Sequence, residues 1–99
     1  MANSHNAQRR LALRFVGEVQ GVGFRWVSRR IANDIGLTGW VRNEWDGSVS
    51  MELQGTDDQI ATFFGKFPHG WGAYPPNYTI AESEEIDTRD DEGIFGVLF

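Results

Sequence analysis

The sequence predicts an α+β domain of the ferredoxin-like, split βαβ type, in which two helices cover one face of an antiparallel sheet. Two observations lead to this fold class. The apolar residues change twice from the alternating period of a strand to the longer period of a helix, in the order βαββαβ. The dipeptide Asp46-Gly47 separates the two central strands and is a strong signal for a β-hairpin.

The first strand and the first helix are predicted within residues 10–36. Leu11, Leu13 and Phe15 alternate with residues of the opposite face, which predicts a strand over residues 10–19. Residues 24–35 instead have apolar side chains at helical spacing, at Phe24, Val27, Ile31 and Ile35. Gly36 is suited to end this helix because glycine readily adopts positive φ.

The hairpin and the second helix follow. Residues 38–44 and 48–54 are strand-like and flank the Asp46-Gly47 turn. Residues 56–59 form a capping box, in which a threonine and a glutamine are spaced to bond to each other's backbone. The helix that this box opens has an apolar face made of Ile60, Phe63, Phe64 and Phe67.

The last third of the chain completes the sheet. Prolines and glycines indicate a loop over residues 68–77, and a fourth strand is predicted over residues 78–86. The apolar residues 94–99 predict a short fifth strand at an edge of the sheet. At the other end, residues 1–8 are polar and without periodicity, so we expect a disordered segment followed by one domain over residues 9–99.

The composition excludes several kinds of chemistry. The chain of 99 residues has no cysteine, which excludes disulfides, thiolate catalysis and zinc–thiolate sites and is typical of a cytoplasmic protein. His5 and His69 stand alone, without carboxylates at ligand spacing, so we expect no metal and no other cofactor. No apolar run approaches the roughly 20 residues of a membrane span, so we expect no membrane partner.

Charges are unevenly distributed along this chain of net charge −5. Arginines are concentrated in residues 1–43, and acidic residues are concentrated in residues 82–92. The simpler interpretation is that two solvated faces attract each other weakly. The alternative is a locally positive site that attracts a small anion. The negative net charge disfavours nucleic acid as a partner.

A candidate anion-binding loop is formed by Gln20, Gly21, Val22, Gly23, Phe24 and Arg25. It lies between the first strand and the first helix, where backbone N–H groups without helical partners favour an anion. Gly21 and Gly23 let the main chain approach a ligand closely. Arg25 is at the positive end of the helix dipole, an unfavourable place for a cation unless an anion lies beside it.

The topology predicts a second polar residue beside this loop. In a split βαβ fold the first and second strands run in the same direction, with the third strand between them. The loop after the first strand and the end of the second strand therefore lie at the same rim of the sheet. Asn43 ends the second strand, so we expect it near Arg25.

Two runs of this sequence resemble motifs of the acylphosphatase family. They are Val19-Gln20-Gly21-Val22-Gly23-Phe24-Arg25 and Gly39-Trp40-Val41-Arg42-Asn43, followed by Asp46-Gly47. The likeness covers about residues 10–67. It implies an enzyme that hydrolyses the carboxyl–phosphate bond of acyl phosphates without a metal ion, with Arg25 and Asn43 as the catalytic pair.

The resemblance also implies how the parts act. The anion-binding loop and Arg25 hold the phosphoryl group of a small-molecule acyl phosphate, and Asn43 holds the water that attacks in line. Inorganic phosphate is then both a product and an inhibitor. We expect the protein to be a monomer.

Two alternatives remain open. A ferredoxin-like nucleic-acid-binding module would use the aromatic run at residues 23–27, although such a run belongs on a strand and here it opens a helix. A carbamoyl-phosphate-handling domain, like that of hydrogenase maturation proteins, is usually part of a much longer chain. The tryptophans are more typical of core packing than of base stacking, with Trp45 partly exposed beside the turn; the others are Trp26, Trp40 and Trp71.

Overall fold

The computed structural model describes residues 7–99. Its elements in chain order are β1 (Gln8–Gly17), α1 (Phe24–Ile35), β2 (Thr38–Asn43), β3 (Val49–Thr56), α2 (Asp57–Lys66), a 3₁₀ turn (Phe67–His69), β4 (Tyr78–Ile86) and β5 (Gly96–Leu98). Residues 1–6 of the segment predicted to be disordered lie outside the described residues. Gln8 pairs with Thr56 in the sheet, so that prediction is wrong for Gln8.

The sheet confirms the predicted fold class and corrects one pairing. The strand order is β4-β1-β3-β2-β5. Strand β3 lies antiparallel to both β1 and β2, so β1 and β2 run in the same direction, as predicted. Strand β5 pairs in parallel with β2. The sheet is therefore mixed rather than wholly antiparallel, because the chain after β4 crosses to the opposite edge and re-enters in the direction of β2.

A cluster of aromatic rings in the core fixes the start of α1. The cluster consists of Phe15, Phe24, Phe67, Trp71 and Tyr78, with ring centroids 5.0 to 6.5 Å apart. Phe24 is the first residue of α1 and only 2% exposed. A buried phenylalanine contributes about 3–5 kcal/mol against truncation to alanine. The amino end of α1 is thus held firmly against the sheet.

Strand β1 ends two residues earlier than its alternating pattern predicts. Gly17 has φ 109°, and a side chain at this position would lie 2.7 Å from the carbonyl oxygen of Asn77. The chain turns at Gly17, and the N–H of Val19 donates to the Gly17 carbonyl at 3.0 Å. Val19 is 1% exposed, so it packs into the core from the turn rather than from the strand.

The local stop and start signals are confirmed. Gly36 ends α1 with φ 94°. Thr56 and Gln59 form the capping box of α2, each bonding to the backbone of the other. In the β2–β3 turn the Asp46 carboxylate accepts from the backbone N–H and the hydroxyl of Ser48, and Gly47 has φ 94°.

Ion pairs join the arginines of β1 to the acidic segment, as the simpler interpretation of the charge pattern predicts, but one of these arginines is buried rather than solvated. Arg9 pairs with Glu85 at 2.7 Å. Arg10 is fully buried and forms a bidentate pair with Glu92, with N–O distances of 2.7 and 3.0 Å. Glu52 is a second carboxylate partner of Arg10, at 2.8 Å. The Arg10–Glu92 pair anchors the segment that leads from β4 to β5.

This anchor makes stability depend on pH. The hydrogen bonds from Arg10 lower the pKa of Glu92 below its ordinary value of 4.5. A carboxylate whose pKa is lowered on folding contributes its full stabilisation above the unfolded pKa and loses it as the pH falls through the folded pKa. We expect Glu92→Gln to lower the free energy of unfolding by about 2 kcal/mol at neutral pH.

Urea unfolding of both proteins across pH tests this expectation. The difference between wild type and Glu92→Gln is predicted to be constant near neutrality and to shrink below about pH 4. Glu84→Gln is the matched control, because Glu84 is exposed and forms no ion pair in the described chain. A difference that persists unchanged to about pH 2 would contradict the role of the Glu92 carboxylate.

Candidate active site

The loop after β1 and the end of β2 meet at one rim of the sheet, and a cleft of about 150 Å³ lies between them. Its lining is formed by Val19, Gly21, Gly23, Phe24, Arg25, Trp26 and Asn43. Arg25 and Asn43 are thus brought into one cleft by the topology, as the parallel course of β1 and β2 requires.

Backbone donors without acceptors surround the cleft. Gly21 and Gly23 both have φ 77°, a left-handed conformation that suits glycine. Gly23 is the N-cap of α1 and offers no side-chain acceptor, and the first turn contains no acidic residue. Within residues 7–99, no backbone N–H of residues 20–26 donates to a protein group. These N–H groups are therefore available to an anion.

The guanidinium of Arg25 is available as well. No carboxylate of the described chain lies within ion-pair distance of it, whereas the arginines of β1 are all paired. The ring of Phe99 lies beside it, with its centroid 5.0 Å from the Arg25 Cζ atom. An unpaired arginine at a helix amino end adds to the positive potential of the N–H groups. This agrees with the alternative interpretation of the charge pattern, a locally positive site.

Asn43 carries an unsatisfied acceptor. Its Oδ1 atom is buried and has no hydrogen-bond partner among residues 7–99. A buried acceptor without a donor costs about 1–3 kcal/mol. Asn43 is the last residue of β2, where it pairs with Val49, so the ladder fixes its position. The arrangement is suited to a ligand or water that donates to Oδ1.

Other residues of the predicted loop hold it in place instead of lining the cleft with side chains. The Gln20 amide donates to the carbonyls of Glu44 and Ser48, at 2.7 and 2.9 Å, and so ties the loop to the β2–β3 turn. The Val22 carbonyl accepts from the Trp71 indole at 2.8 Å. The side chain of Phe24 lies in the core, so only its backbone is available to a ligand.

Two lining residues were not predicted as part of the site, Val19 and Trp26. Trp26 is 52% exposed, so its assignment to the core is wrong. Its position in the sequence held the signal, because it lies off the apolar stripe that Phe24 and Ile31 define on α1. Trp45 is also exposed, as expected for its place in the turn.

A larger groove of about 190 Å³ lies on the sheet face that the helices leave open. Arg14 lines it together with Glu52, Glu82 and Glu84. The Arg14 guanidinium is already within 3.4 Å of Glu82. The excess of carboxylates makes this groove unsuitable for a phosphoryl group.

Residues 7–99 include no group of three His, Cys, Asp or Glu side chains placed to hold a metal ion. None of the helices in this part of the chain has the length and apolar character needed to cross a bilayer.

Known proteins resemble this chain over most of its length. The family model described as acylphosphatase matches residues 11–95. The acylphosphatase of Salinibacter ruber is 38% identical over 88 residues, which are 89% of this chain and 87% of that protein. The acylphosphatase of Thiobacillus denitrificans is 41% identical over 83 residues, 84% of this chain and 85% of that protein.

Solved structures agree. An acylphosphatase from Coxiella burnetii has a TM-score of 0.73 and 32% identity, with 94% of each chain covered. Full-length HypF in its phosphate- and nucleotide-bound form has a TM-score of 0.75 and 26% identity, over 95% of this chain but only 12% of that one. Neither the nucleic-acid-binding nor the carbamoyl-phosphate alternative is favoured by these likenesses. The match of the family model and the identities to relatives of similar length show that the chain belongs to the acylphosphatase family.

Proposed function

We propose that this chain hydrolyses the carboxyl–phosphate bond of acyl phosphates by in-line attack of water, without a metal ion. One observation carries the proposal. Three kinds of group that have no partner among residues 7–99 meet in a single small cleft: the backbone donors of the loop, the Arg25 guanidinium and the Asn43 Oδ1 atom. Donors and a cation suit the phosphoryl group, and the acceptor suits a water molecule.

The anion-binding loop and Arg25 bind the phosphoryl group. Phosphoryl transfer depends mainly on positioning and on stabilising charge at the equatorial oxygens of the transition state. The N–H groups of the loop are fixed by the aromatic core beneath Phe24, so they need no reorganisation during the reaction. The planar fork of Arg25 donates two parallel hydrogen bonds to such oxygens, which a lysine does not.

Asn43 positions the attacking water by accepting a hydrogen bond at Oδ1. An amide is not a base, so the proton of the water passes to an oxygen of the phosphoryl group. The bond from the water oxygen to phosphorus forms while the bond from phosphorus to the acyl oxygen breaks, and the electron pair leaves with the carboxylate. A carboxylate with a pKa near 4 leaves with little protonation, so the site needs no strong general acid.

Arg25 and the N–H groups supply the positive potential that Mg²⁺ supplies in many phosphoryl-transfer sites. Inorganic phosphate resembles the bound end of the substrate, so we expect it to inhibit competitively. We expect a monomer in the cytoplasm, a compartment with which a sequence without cysteine is in keeping.

Phosphate release from benzoyl phosphate tests the function. The purified protein is expected to release phosphate at the same rate with and without a chelator. No release above the uncatalysed background would contradict the proposed activity. Release that a chelator abolishes would contradict its metal-free form.

Variants of the two proposed catalytic residues are expected to differ in which kinetic parameter changes. Asn43→Ala removes the anchor of the water, so kcat should fall by about 10²-fold while the inhibition constant of inorganic phosphate stays unchanged. Arg25→Ala removes charge-assisted hydrogen bonds to the phosphoryl group. Its inhibition constant for phosphate should rise at least tenfold, since each such bond contributes about 1.5–3 kcal/mol.

Arg30→Ala is the matched control for this pair. Arg30 is an exposed arginine of the same helix, and its guanidinium donates to the Gly70 carbonyl outside the cleft. We expect wild-type kinetics from it. An Arg25→Ala protein that phosphate inhibits as strongly as it inhibits wild type would remove Arg25 from the proposed role.

A further inference from the structure

The cleft accommodates a phosphoryl group and little more. Its volume is about 150 Å³, and a cavity of about 150 Å³ admits one benzene-sized molecule. A phosphoryl group in contact with the loop donors and Arg25, together with the attacking water on Asn43, takes up this space. The acyl group of a substrate therefore lies at the mouth of the cleft, against the side chains that surround it.

Trp26 is the large apolar side chain at this mouth. It follows Arg25 in α1, lines the cleft and remains 52% exposed. The helix buries Phe24 and Ile31 on its other side, so the indole has no part in the core. The Arg29 guanidinium lies 5.7 Å from the indole, a cation–π contact that restricts its motion at the surface.

Phe99 supplies a second aromatic ring beside the site. Strand β5 runs parallel to β2 with Leu98 opposite Arg42, so the next residue, Phe99, comes level with Asn43. Its ring centroid is 5.0 Å from the Arg25 Cζ atom, and the residue is 92% exposed. The charged cleft is therefore bordered by aromatic surface that the fold itself does not use.

The charged groups that line the cleft also favour an apolar acyl group. No carboxylate of the described chain lines the cleft, and its one guanidinium is engaged by the phosphoryl group in the proposed function. Apart from Arg25 and Asn43, which the proposed function uses, the side chains that line the cleft are apolar. An apolar planar group there removes its own surface and that of the indole from water.

We propose that Trp26 and Phe99 form the acyl-group subsite and select acyl phosphates with an aromatic acyl group over acetyl phosphate. The inference rests on the proposed function, since it concerns the substrate of the same cleft. An acetyl group is too small to cover either ring, so removing a ring is expected to slow hydrolysis of benzoyl phosphate and to leave hydrolysis of acetyl phosphate unchanged.

The ratio of kcat/KM for benzoyl phosphate to that for acetyl phosphate tests the subsite. We expect Trp26→Ala to lower this ratio about tenfold, through the loss on benzoyl phosphate alone. Phe99→Ala is expected to lower it less, because that ring is the more exposed of the two. Trp45→Ala, which truncates a 98% exposed tryptophan outside the cleft, is the control and should keep the wild-type ratio.

Either of two kinetic results would overturn the subsite. One is a wild-type ratio in both Trp26→Ala and Phe99→Ala. The other is an equal loss on both substrates in Trp26→Ala together with weaker inhibition by phosphate, which would give the indole a structural part in the loop.

Calorimetric binding of phenacylphosphonate and acetonylphosphonate, in which a CH₂ group replaces the bridging oxygen of benzoyl and acetyl phosphate, separates the subsite from the activity. Wild type is expected to bind phenacylphosphonate about tenfold more tightly, and Trp26→Ala to lose that preference. Equal affinities in wild type would overturn the subsite. If wild type hydrolyses neither acyl phosphate, the proposed function is overturned instead. The phosphonates would still decide whether Trp26 binds an aromatic group.

Discussion

The uncapped amino end of α1 is the constraint on which the rest of the structure depends. Gly23 offers no capping side chain, no acid stands in the first turn, and Arg25 adds a positive charge where the helix dipole is already positive. Each of these three features lowers the stability of the helix on its own. Together they create a place where a dianion satisfies several donors at once. The start of α1 is therefore less stable than a capped helix start would be, and its donors are already arranged to bind an anion.

The scaffold offsets that cost from several directions. The aromatic cluster beneath Phe24 fixes the helix start on the sheet. The amide of Gln20 bonds across to the β2–β3 turn and so links the loop before Arg25 to the turn that follows Asn43. At the opposite end of β1, the buried Arg10–Glu92 pair and the hydrogen bonds between Asn33 and the Phe95 backbone anchor the chain that leads into β5. The groups that position the substrate therefore lie at the end of β2 and in a loop that hydrogen bonds and core packing hold in place.

Sequence rules that depend on neighbouring residues predicted most of the fold and the meeting of Arg25 and Asn43. The features that these rules missed depend on contacts between residues far apart in the sequence. Periodicity, the capping box and the glycine stops depend on neighbours within one turn or strand, and a known strand order is enough to bring Arg25 and Asn43 together. The parallel course of β5 follows a segment that the Arg10–Glu92 pair holds in place, and this pair joins residues 82 positions apart. The Gln20 bonds to carbonyls of the hairpin turn leave no sequence pattern. Trp26 was misassigned because large aromatic residues are usually buried, although its place on the helix indicated exposure.

The central claim is that the cleft holds the phosphoryl end of the substrate and that water on Asn43 attacks phosphorus. Hydrolysis of benzoyl phosphate in water enriched in oxygen-18, followed by mass spectrometry of both products, tests it most directly. The account predicts one labelled oxygen in inorganic phosphate and none in benzoate. Label in benzoate would show attack at the carbonyl carbon and would contradict the assignment of the cleft.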